Sequence, residues 1–356
     1  MNNIAILGYG TVGKGVKELL DRNPLFHLAA IFDRIEKKKE VGALLVTDLN
    51  EVINDPTIDT VVECMGGDTI SYLAIKESLK HHKNVVSSNK ETISMHLKEY
   101  LELANANKVS LQFEASVGGG IPLLYPLTIQ AQFDDITEIK GILNGTSNFI
   151  LTKMQDEKMK KEEAIKLAQQ KGFAEKDPTA DLEGLDMVRK GSIIASLITQ
   201  REIHNNDIPH FGISNGNADI IDKVASMNRI IKMVTDIKID DEHLSVTIMP
   251  IAIKKDTFLA QVKYEYNGVL VEGKYQDPLT FIGKGAGKNP TASAILQDLI
   301  RINKKITYPY PNLLEYYSIT PDLEGSYLVS KDYQIREVKN PSLDYLYSCD
   351  FVCRIE

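Results

Sequence analysis

The sequence predicts an α/β fold: a doubly wound parallel sheet joined to a second, α+β part with an open mixed sheet. Three observations predict it. A short apolar run, Asn3 to Leu7, leads directly into Gly8-Tyr9-Gly10-Thr11-Val12-Gly13 and a helical pattern through Val16, Leu19 and Leu20. Short apolar runs then alternate with helical patterns as far as Phe113, the rhythm of βαβ units. Beyond Ile136, strand-like runs follow one another with fewer helices between them. At 356 residues the chain is long for one core, so two domains are expected.

Composition narrows the function. Hydrophobic content of 43% and charged content of 25% are ordinary for a globular chain. A net charge of −8 with a pI near 5.5 argues against nucleic acid as a partner, since phosphate binding needs a basic surface. No apolar run approaches the ~18 residues of a membrane span, so no membrane partner is expected. The N-terminal apolar run lacks a charged n-region and ends at Gly8, which fits a strand rather than a signal peptide. Cys64, Cys349 and Cys353 form no CxxC and no zinc spacing. They suit a reducing compartment, and cytoplasmic localisation is expected.

Each element follows from its residues. Gly8 makes the tight turn, Gly10 lets a pyrophosphate approach the backbone, and Gly13 lets the helix pack on the strand. Thr11 and Val12 lie in the first helical turn, whose N–H groups and dipole favour phosphates. A Rossmann-type dinucleotide site is therefore expected. His27 to Phe32 is the second strand and ends at Asp33, twenty residues past Gly13, where an acid binds the ribose. Arg34 and Lys37 to Lys39 follow. The acid suits the free 2′-hydroxyl of NAD and the adjacent Arg the 2′-phosphate of NADP, so both cofactors stay open. Lys37 to Lys39 read equally well as a solvated loop.

Strands at Asp59–Glu63, Asn84–Ser87 and Val109–Phe113 alternate with helices at Thr69–Lys80 and Ser94–Asn105. In such sheets ligands lie beyond the C-terminal strand ends. That rule selects the loops Cys64-Met65-Gly66-Gly67 and Ser87-Ser88-Asn89-Lys90. Lys90, directly after a core strand, has the reach for both a nicotinamide ribose and a substrate oxygen. In isolation it also reads as a surface lysine opening the next helix. Glu114 to Pro122 carries three consecutive glycines, Gly118 to Gly120, which free backbone carbonyls to point inward. Hard cations take such oxygens. A strained loop that brings backbone close to substrate is the equal alternative.

Ile136 to Leu143 predicts a strand and Asn144 to Met154 a helix. Residues 160–170 predict an amphipathic helix through Ala164, Ile165, Leu167 and Ala168. Gly172 to Lys190 then packs five carboxylates and three cations into one stretch. Pro178 disfavours helix at Asp177 and lacks an N–H, so the first half reads as loop. A helix is expected from Leu182, with Asp181 as its N-cap, Glu183 in its first turn, and Leu185, Val188, Ile193 and Ala195 near a 3.6 period. Asp186 and Lys190, four apart, share a face; exposed pairs of this kind contribute under about 1 kcal/mol. Val246–Ile253, Phe258–Tyr264 and Val269–Tyr275 are expected strands of an open sheet, helices on one side and the other face available to a second copy. Gly283, Gly285 and Gly287 predict a turn, after which Pro290 and Thr291 open a helix to Ile302.

Gly172, Phe173, Glu175, Asp177, Pro178, Asp181, Leu182, Gly184, Leu185, Asp186, Arg189 and Lys190 together closely resemble the signature of homoserine dehydrogenases. GILNGTSNFIL and Asn89-Lys90 are similar to segments of the same family, and the resemblance runs over roughly residues 3–305. It implies an NAD(P)-dependent oxidoreductase that interconverts L-homoserine and L-aspartate 4-semialdehyde in threonine and methionine biosynthesis. By the same resemblance Lys190 is the acid/base, and Lys90 positions the substrate oxygen. Glu175, Asp181 and Asp186 bind the substrate, Asp186 at its ammonium. The implied NADP or NAD contacts are Gly8, Gly10, Thr11, Val12, Gly13, Asp33, Arg34, Gly66, Ser88, Lys90, Gly172, Glu175 and Gly287. A sodium or potassium ion would take the Glu114 carboxylate and the carbonyls of Val117, Gly119 and Ile121.

The implied organisation is a nucleotide-binding domain over residues 1–130, completed by 288–315, and a catalytic and dimerisation domain over 131–287. A homodimer or dimer-based oligomer is expected. After Tyr316-Tyr317 the resemblance weakens. Thirty-nine residues remain, too few for the regulatory amino-acid-binding module of many relatives, so 316–356 reads as a strand-rich tail. Two rival readings exist. A nucleotide-sensing regulator needs the glycine loop but not Lys90, Glu175, Asp186 and Lys190 together. A related dehydrogenase would act on another amino-acid semialdehyde.

Overall fold

In the computed structural model, which describes residues 2–240, 243–306, 310, 312–332 and 334–356, the chain divides into two compact units. The first comprises Met1–Gln132, Ser196–Glu202 and Gly285–Tyr316. The second comprises Phe133–Ala195, Ile203–Lys284 and Tyr317–Glu356.

Among the described residues the first unit holds six strands: β1 (Asn2–Leu7), β2 (Phe26–Phe32), β3 (Leu45–Val46), β4 (Thr60–Glu63), β5 (Asn84–Ser87) and β6 (Leu111–Gln112). Their order is β3-β2-β1-β4-β5-β6, with every pair parallel. This is the doubly wound order, and the winding reverses between β1 and β4. The connecting helices are α1 (Thr11–Leu20), α2 (Lys38–Val41), α3 (Leu49–Asn54), α4 (Thr69–Lys80), α5 (Lys90–Asn107) and α6 (Leu124–Gln130). Alternate residues of one strand feed two cores. Ile4 and Ile6 join one apolar cluster, Ala5 and Leu7 the other, as a sheet covered on both faces requires. The sequence starts the helix after β5 at Ser94; it starts at Lys90 because Asn89 caps it, its Oδ1 accepting the N–H groups of Glu91 (3.1 Å) and Thr92 (3.4 Å).

The second unit is an eight-stranded mixed sheet among the described residues. Its strands are β7 (Ile136–Ile142), β8 (Arg229–Ile239), β9 (Leu244–Lys254), β10 (Tyr266–Gly273), β11 (Leu279–Lys284), β12 (Ser326–Lys331), β13 (Gln334–Lys339) and β14 (Phe351–Ile355). They run in the order β11-β10-β7-β8-β9-β14-β12-β13, antiparallel except for the parallel pair β14–β9. Its helices are α7 (Gly145–Asp156), α8 (Lys161–Gln170), α9 (Thr179–Leu182), α10 (Leu185–Thr199, as far as Ala195), α11 (Ala218–Ser226) and α12 (Phe258–Gln261). After α13 (Lys288–Asn303), which packs its Ala292, Ile295 and Leu299 into the core of the first unit, comes the short α14 (Leu343–Tyr347) of the second.

Several expectations change. Phe258–Tyr264 is not a strand. Its first four residues form the helical turn α12, which buries the adjacent pair Leu259 and Ala260, something one face of a strand does not do. The strand expected over Val269–Tyr275 runs Tyr266–Gly273. Of the turn expected at Gly283, Gly285 and Gly287, Gly283 lies instead in β11, an edge strand. Asp181 does not cap the helix that follows it. Asp177 Oδ1 accepts both the N–H (3.1 Å) and the hydroxyl (2.6 Å) of Thr179, so a first turn, α9, forms early. Gly184, at φ +84°, ends it, and α10 starts afresh at Leu185, which is exposed rather than core.

Candidate active site

In the first unit the glycine loop and two neighbouring loops gather at the C-terminal edge of the sheet. Gly8 has φ +95°, and a Cβ there would meet the backbone of Cys64 at 2.9 Å; at Gly13 it would meet the Gly8 carbonyl at 2.0 Å. Gly10 faces open space instead, and no side chain caps the N-terminus of α1. The N–H groups of Thr11, Val12 and Gly13 thus begin an uncapped turn, the arrangement that receives phosphate. Asp33 follows β2. Its carboxylate accepts the N–H groups of Tyr9 (2.6 Å) and Arg34 (2.7 Å), which fixes it against the glycine loop. Arg34 is exposed beside it. Gly66 and Gly67, both at positive φ, stand in open space after β4. Ser88 donates its N–H to the Glu63 carbonyl (3.3 Å), and Lys90 is half-buried at the first position of α5.

In the second unit the conspicuous cluster is buried and charged. Lys190, only 7% exposed, donates to Asp186 Oδ2 (2.7 Å) and to the Leu143 carbonyl (2.6 Å). The i,i+4 pair is therefore not a solvated surface pair. Asn144, between β7 and α7, organises the rest. Its Oδ1 accepts the Ser147 N–H (2.8 Å) and so caps α7. Its Nδ2 donates to both Asp181 Oδ1 (2.6 Å) and Asp186 Oδ2 (2.9 Å). Burial, then the nearby Asp186, raise the Asp181 carboxyl above its ordinary value. Two carboxyl groups thus stand beside one ammonium, a setting suited to a ligand ammonium. Thr146 bonds the Phe173 carbonyl (2.6 Å), tying α7 to the loop of Gly172 and Glu175.

Comparison with known proteins decides the family. Residues 122–300 match the homoserine dehydrogenase family model, and residues 8–114 match the model described as homoserine dehydrogenase, NAD binding domain. A Bacillus subtilis homoserine dehydrogenase is 36% identical over 85% of this chain and 73% of its own length. One from Synechocystis is 39% identical over 85% of this chain and 74% of its own. The crystal structure of a homoserine dehydrogenase from Thiobacillus denitrificans superposes with a TM-score of 0.88 at 25% identity, covering 100% of this chain and 98% of that one.

The chain belongs to the homoserine dehydrogenase family. It is an NAD(P)-dependent oxidoreductase acting on a small-molecule substrate, with the reaction and the pathway of that family. Among the described residues no helix is long and apolar enough to cross a membrane.

The structure does not treat all the expected site residues alike. It brings Asp181, Asp186 and Lys190 together. Glu175 lies on an exposed loop, and among the described residues its carboxylate has no hydrogen bond or ion pair. Gly172 stands at φ +75° in the same loop, and Gly287 at φ +112° precedes α13. Ser147 and Asn148 are fully buried, and Asn148 faces the Lys232 ammonium at 2.9 Å. Both pack into the second unit on α7.

The expected cation ligand set does not fit at its carboxylate. Glu114 is completely buried, and Oε1 accepts the N–H groups of Leu123 (2.6 Å) and Leu124 (2.7 Å), Oε2 that of Tyr125 (3.0 Å). The Arg301 guanidinium lies 3.5 Å from Oε2. Helix N–H groups and arginine already balance this anion, and a cation ligated here would face that guanidinium. The glycines of the loop have a packing reason: a Cβ at Gly119 would meet the Gly285 backbone at 2.4 Å. Nothing ties Val117, Gly119 and Ile121 to a shared ion.

Asn144 lies in GILNGTSNFIL, the segment whose small polar residues the family resemblance places at the substrate pocket. Glu63 ends an apolar strand, and nothing local marks its side chain.

Proposed function

We propose that this chain reduces L-aspartate 4-semialdehyde to L-homoserine, and the reverse, with Lys190 as the proton donor and acceptor at the substrate oxygen. The bound nicotinamide supplies or accepts the hydride. The observation that carries the assignment is the donor count at Lys190. An ammonium has three donors. Two are spent on Asp186 and the Leu143 carbonyl. The third remains for an oxygen brought beside it, while Asp186 and Leu143 hold the amine in place.

Asp181 and Asp186 receive the substrate ammonium. Two carboxyl groups beside one ammonium support that role, and so does Asn144, which keeps both within 3 Å of one amide nitrogen, at 2.6 and 2.9 Å. Lys90 is assigned to the substrate oxygen and the nicotinamide ribose, on the family resemblance and its place at the C-terminal end of β5. Glu175 joins the ligand contacts on the same resemblance. Asp33 with exposed Arg34 admits either NADP or NAD. A homodimer and a cytoplasmic location complete the proposal. Exposed Tyr275 and Ile282, on and near the edge strand β11, are supporting features for self-association.

Following NADPH or NADH absorbance with aspartate 4-semialdehyde, each cofactor separately, tests the reading. Saturable turnover with at least one cofactor is expected. Turnover with other amino-acid semialdehydes but not this one would transfer the site to a different substrate.

A further inference from the structure

The end of β4 carries a buried carboxylate that the chemistry above does not use. Glu63 is completely buried, and among the described residues it has no ion-pair partner. A buried anion without a counter-charge is costly and persists only where hydrogen bonds replace its water. Its carboxylate bonds go to the loop after β4, to the first turn of α4 and to the last residue of β5. Oε1 accepts the Met65 N–H (2.8 Å) and the Ser71 hydroxyl (2.9 Å). Oε2 accepts the Ser87 hydroxyl (2.7 Å). Ser87 Oγ in turn accepts the Asn89 N–H (3.1 Å), and Asn89 Nδ2 donates to the Gly67 carbonyl (2.6 Å). Asn89 Oδ1 caps the helix that begins at Lys90.

The chain of bonds has a fixed direction. The single Ser87 hydroxyl proton is spent on Glu63, so its oxygen is left to accept from Asn89. An acceptor-only group at position 63 satisfies three donors at once, and an amide does not. Glu63 also pairs across the sheet with Leu7 and with Ser87, directly beside Gly8 at the reversal of strand order, the place where such sheets bind ligands.

We infer that Glu63 is a positioning residue for the cofactor, acting through Ser87 and Asn89 to fix the Gly66–Gly67 backbone and the start of α5 at Lys90. The inference rests on the assignment of these loops and of Lys90 to the cofactor and the substrate oxygen. Sequence pattern alone leaves Glu63 as the last residue of a strand; the bonds give it a task.

The test uses the full-length chain as wild type, Glu63→Gln, Ser87→Ala and Ser87→Thr. Cofactor Kd is read by NADPH fluorescence, kcat and KM for each substrate by absorbance, and folding by the melting temperature. Glu63→Gln and Ser87→Ala should each weaken NADPH binding about tenfold and lower kcat about 10- to 100-fold, the penalty of a misplaced group. KM for aspartate semialdehyde should stay put, and Ser87→Thr, which keeps the hydroxyl, should restore wild-type values. The inference is overturned if both disruptive variants only lower the melting temperature while folded enzyme keeps wild-type kinetics, or if Ser87→Thr is no better than Ser87→Ala. If Glu63→Gln does not fold, the two Ser87 variants decide alone. If the wild type turns over no aspartate semialdehyde, the assigned reaction fails, and the NADPH titrations still decide the role of Glu63.

Discussion

Asn144 shows how one small side chain can set a site. Its amide nitrogen spans two carboxylates, and its oxygen caps α7. These two tasks are separable. Asn144→Ala should lose about 1 kcal/mol from the cap and should raise KM for homoserine at least about tenfold, since neither carboxylate is held. Asn144→Ser keeps a capping oxygen but cannot bridge both acids. It should recover melting temperature and not KM, and steady-state kinetics beside a thermal melt separates the two. Lys232 makes a second residue-scale case. It is 1% exposed, bonded to Asn148 Oδ1 and to the Val262 carbonyl, and burial pushes its ammonium down to about 8 from 10.5. Below about pH 8 the folded chain carries a buried charge that the unfolded chain keeps in water. Between that value and 10.5 the unfolded state holds the extra proton, so this group makes stability rise with pH there. Lys232→Met should remove that rise and stabilise the chain at pH 7. Denaturant melts of both proteins across this range check it, and an unchanged slope would contradict it.

Elements were legible where a local pattern carries the physics. The glycine loop needs only consecutive residues, and so does the Asp186–Lys190 spacing that the buried pair at 2.7 Å now explains. The failures are equally physical. β8 did not stand out because Lys232 and Asp236 sit buried on it and break the apolar alternation; each has partners on other elements that the sequence does not reveal. The mistaken strand at Phe258 is a helical turn whose adjacent apolar residues face one core. The bonds of Glu63 and the bridge from Asn144 to Asp181 and Asp186 form only through pairing fixed over tens of residues, β4 against β5 and Asn144 against α10. The Glu114 carboxylate was given as a cation ligand by the family resemblance; the three N–H groups it satisfies lie at the start of α6, nine to eleven residues on.

At the scale of the whole molecule, the C-terminal residues are part of the second unit. β14 pairs in parallel with β9, and Arg354 reaches Asp236 and Asp322, both at 3.4 Å. Tyr327, Leu328, Val329 and Cys353 are essentially fully buried. A segment read from sequence as a tail thus closes an edge that would otherwise expose β9. Deleting residues 317–356 should lower the melting temperature by about 10 °C or more, from the lost apolar burial alone. A truncated chain that melts like the intact one would show the segment to be dispensable. The account as a whole hangs on the proton at Lys190. The most direct test is the rate of NADPH-dependent reduction of aspartate 4-semialdehyde by Lys190→Ala, with NADPH affinity measured on the same sample. The account predicts a kcat lower by ~10²–10⁴ with NADPH affinity within about twofold of wild type, because the glycine loop is untouched. A folded variant that keeps most of the wild-type rate would contradict it.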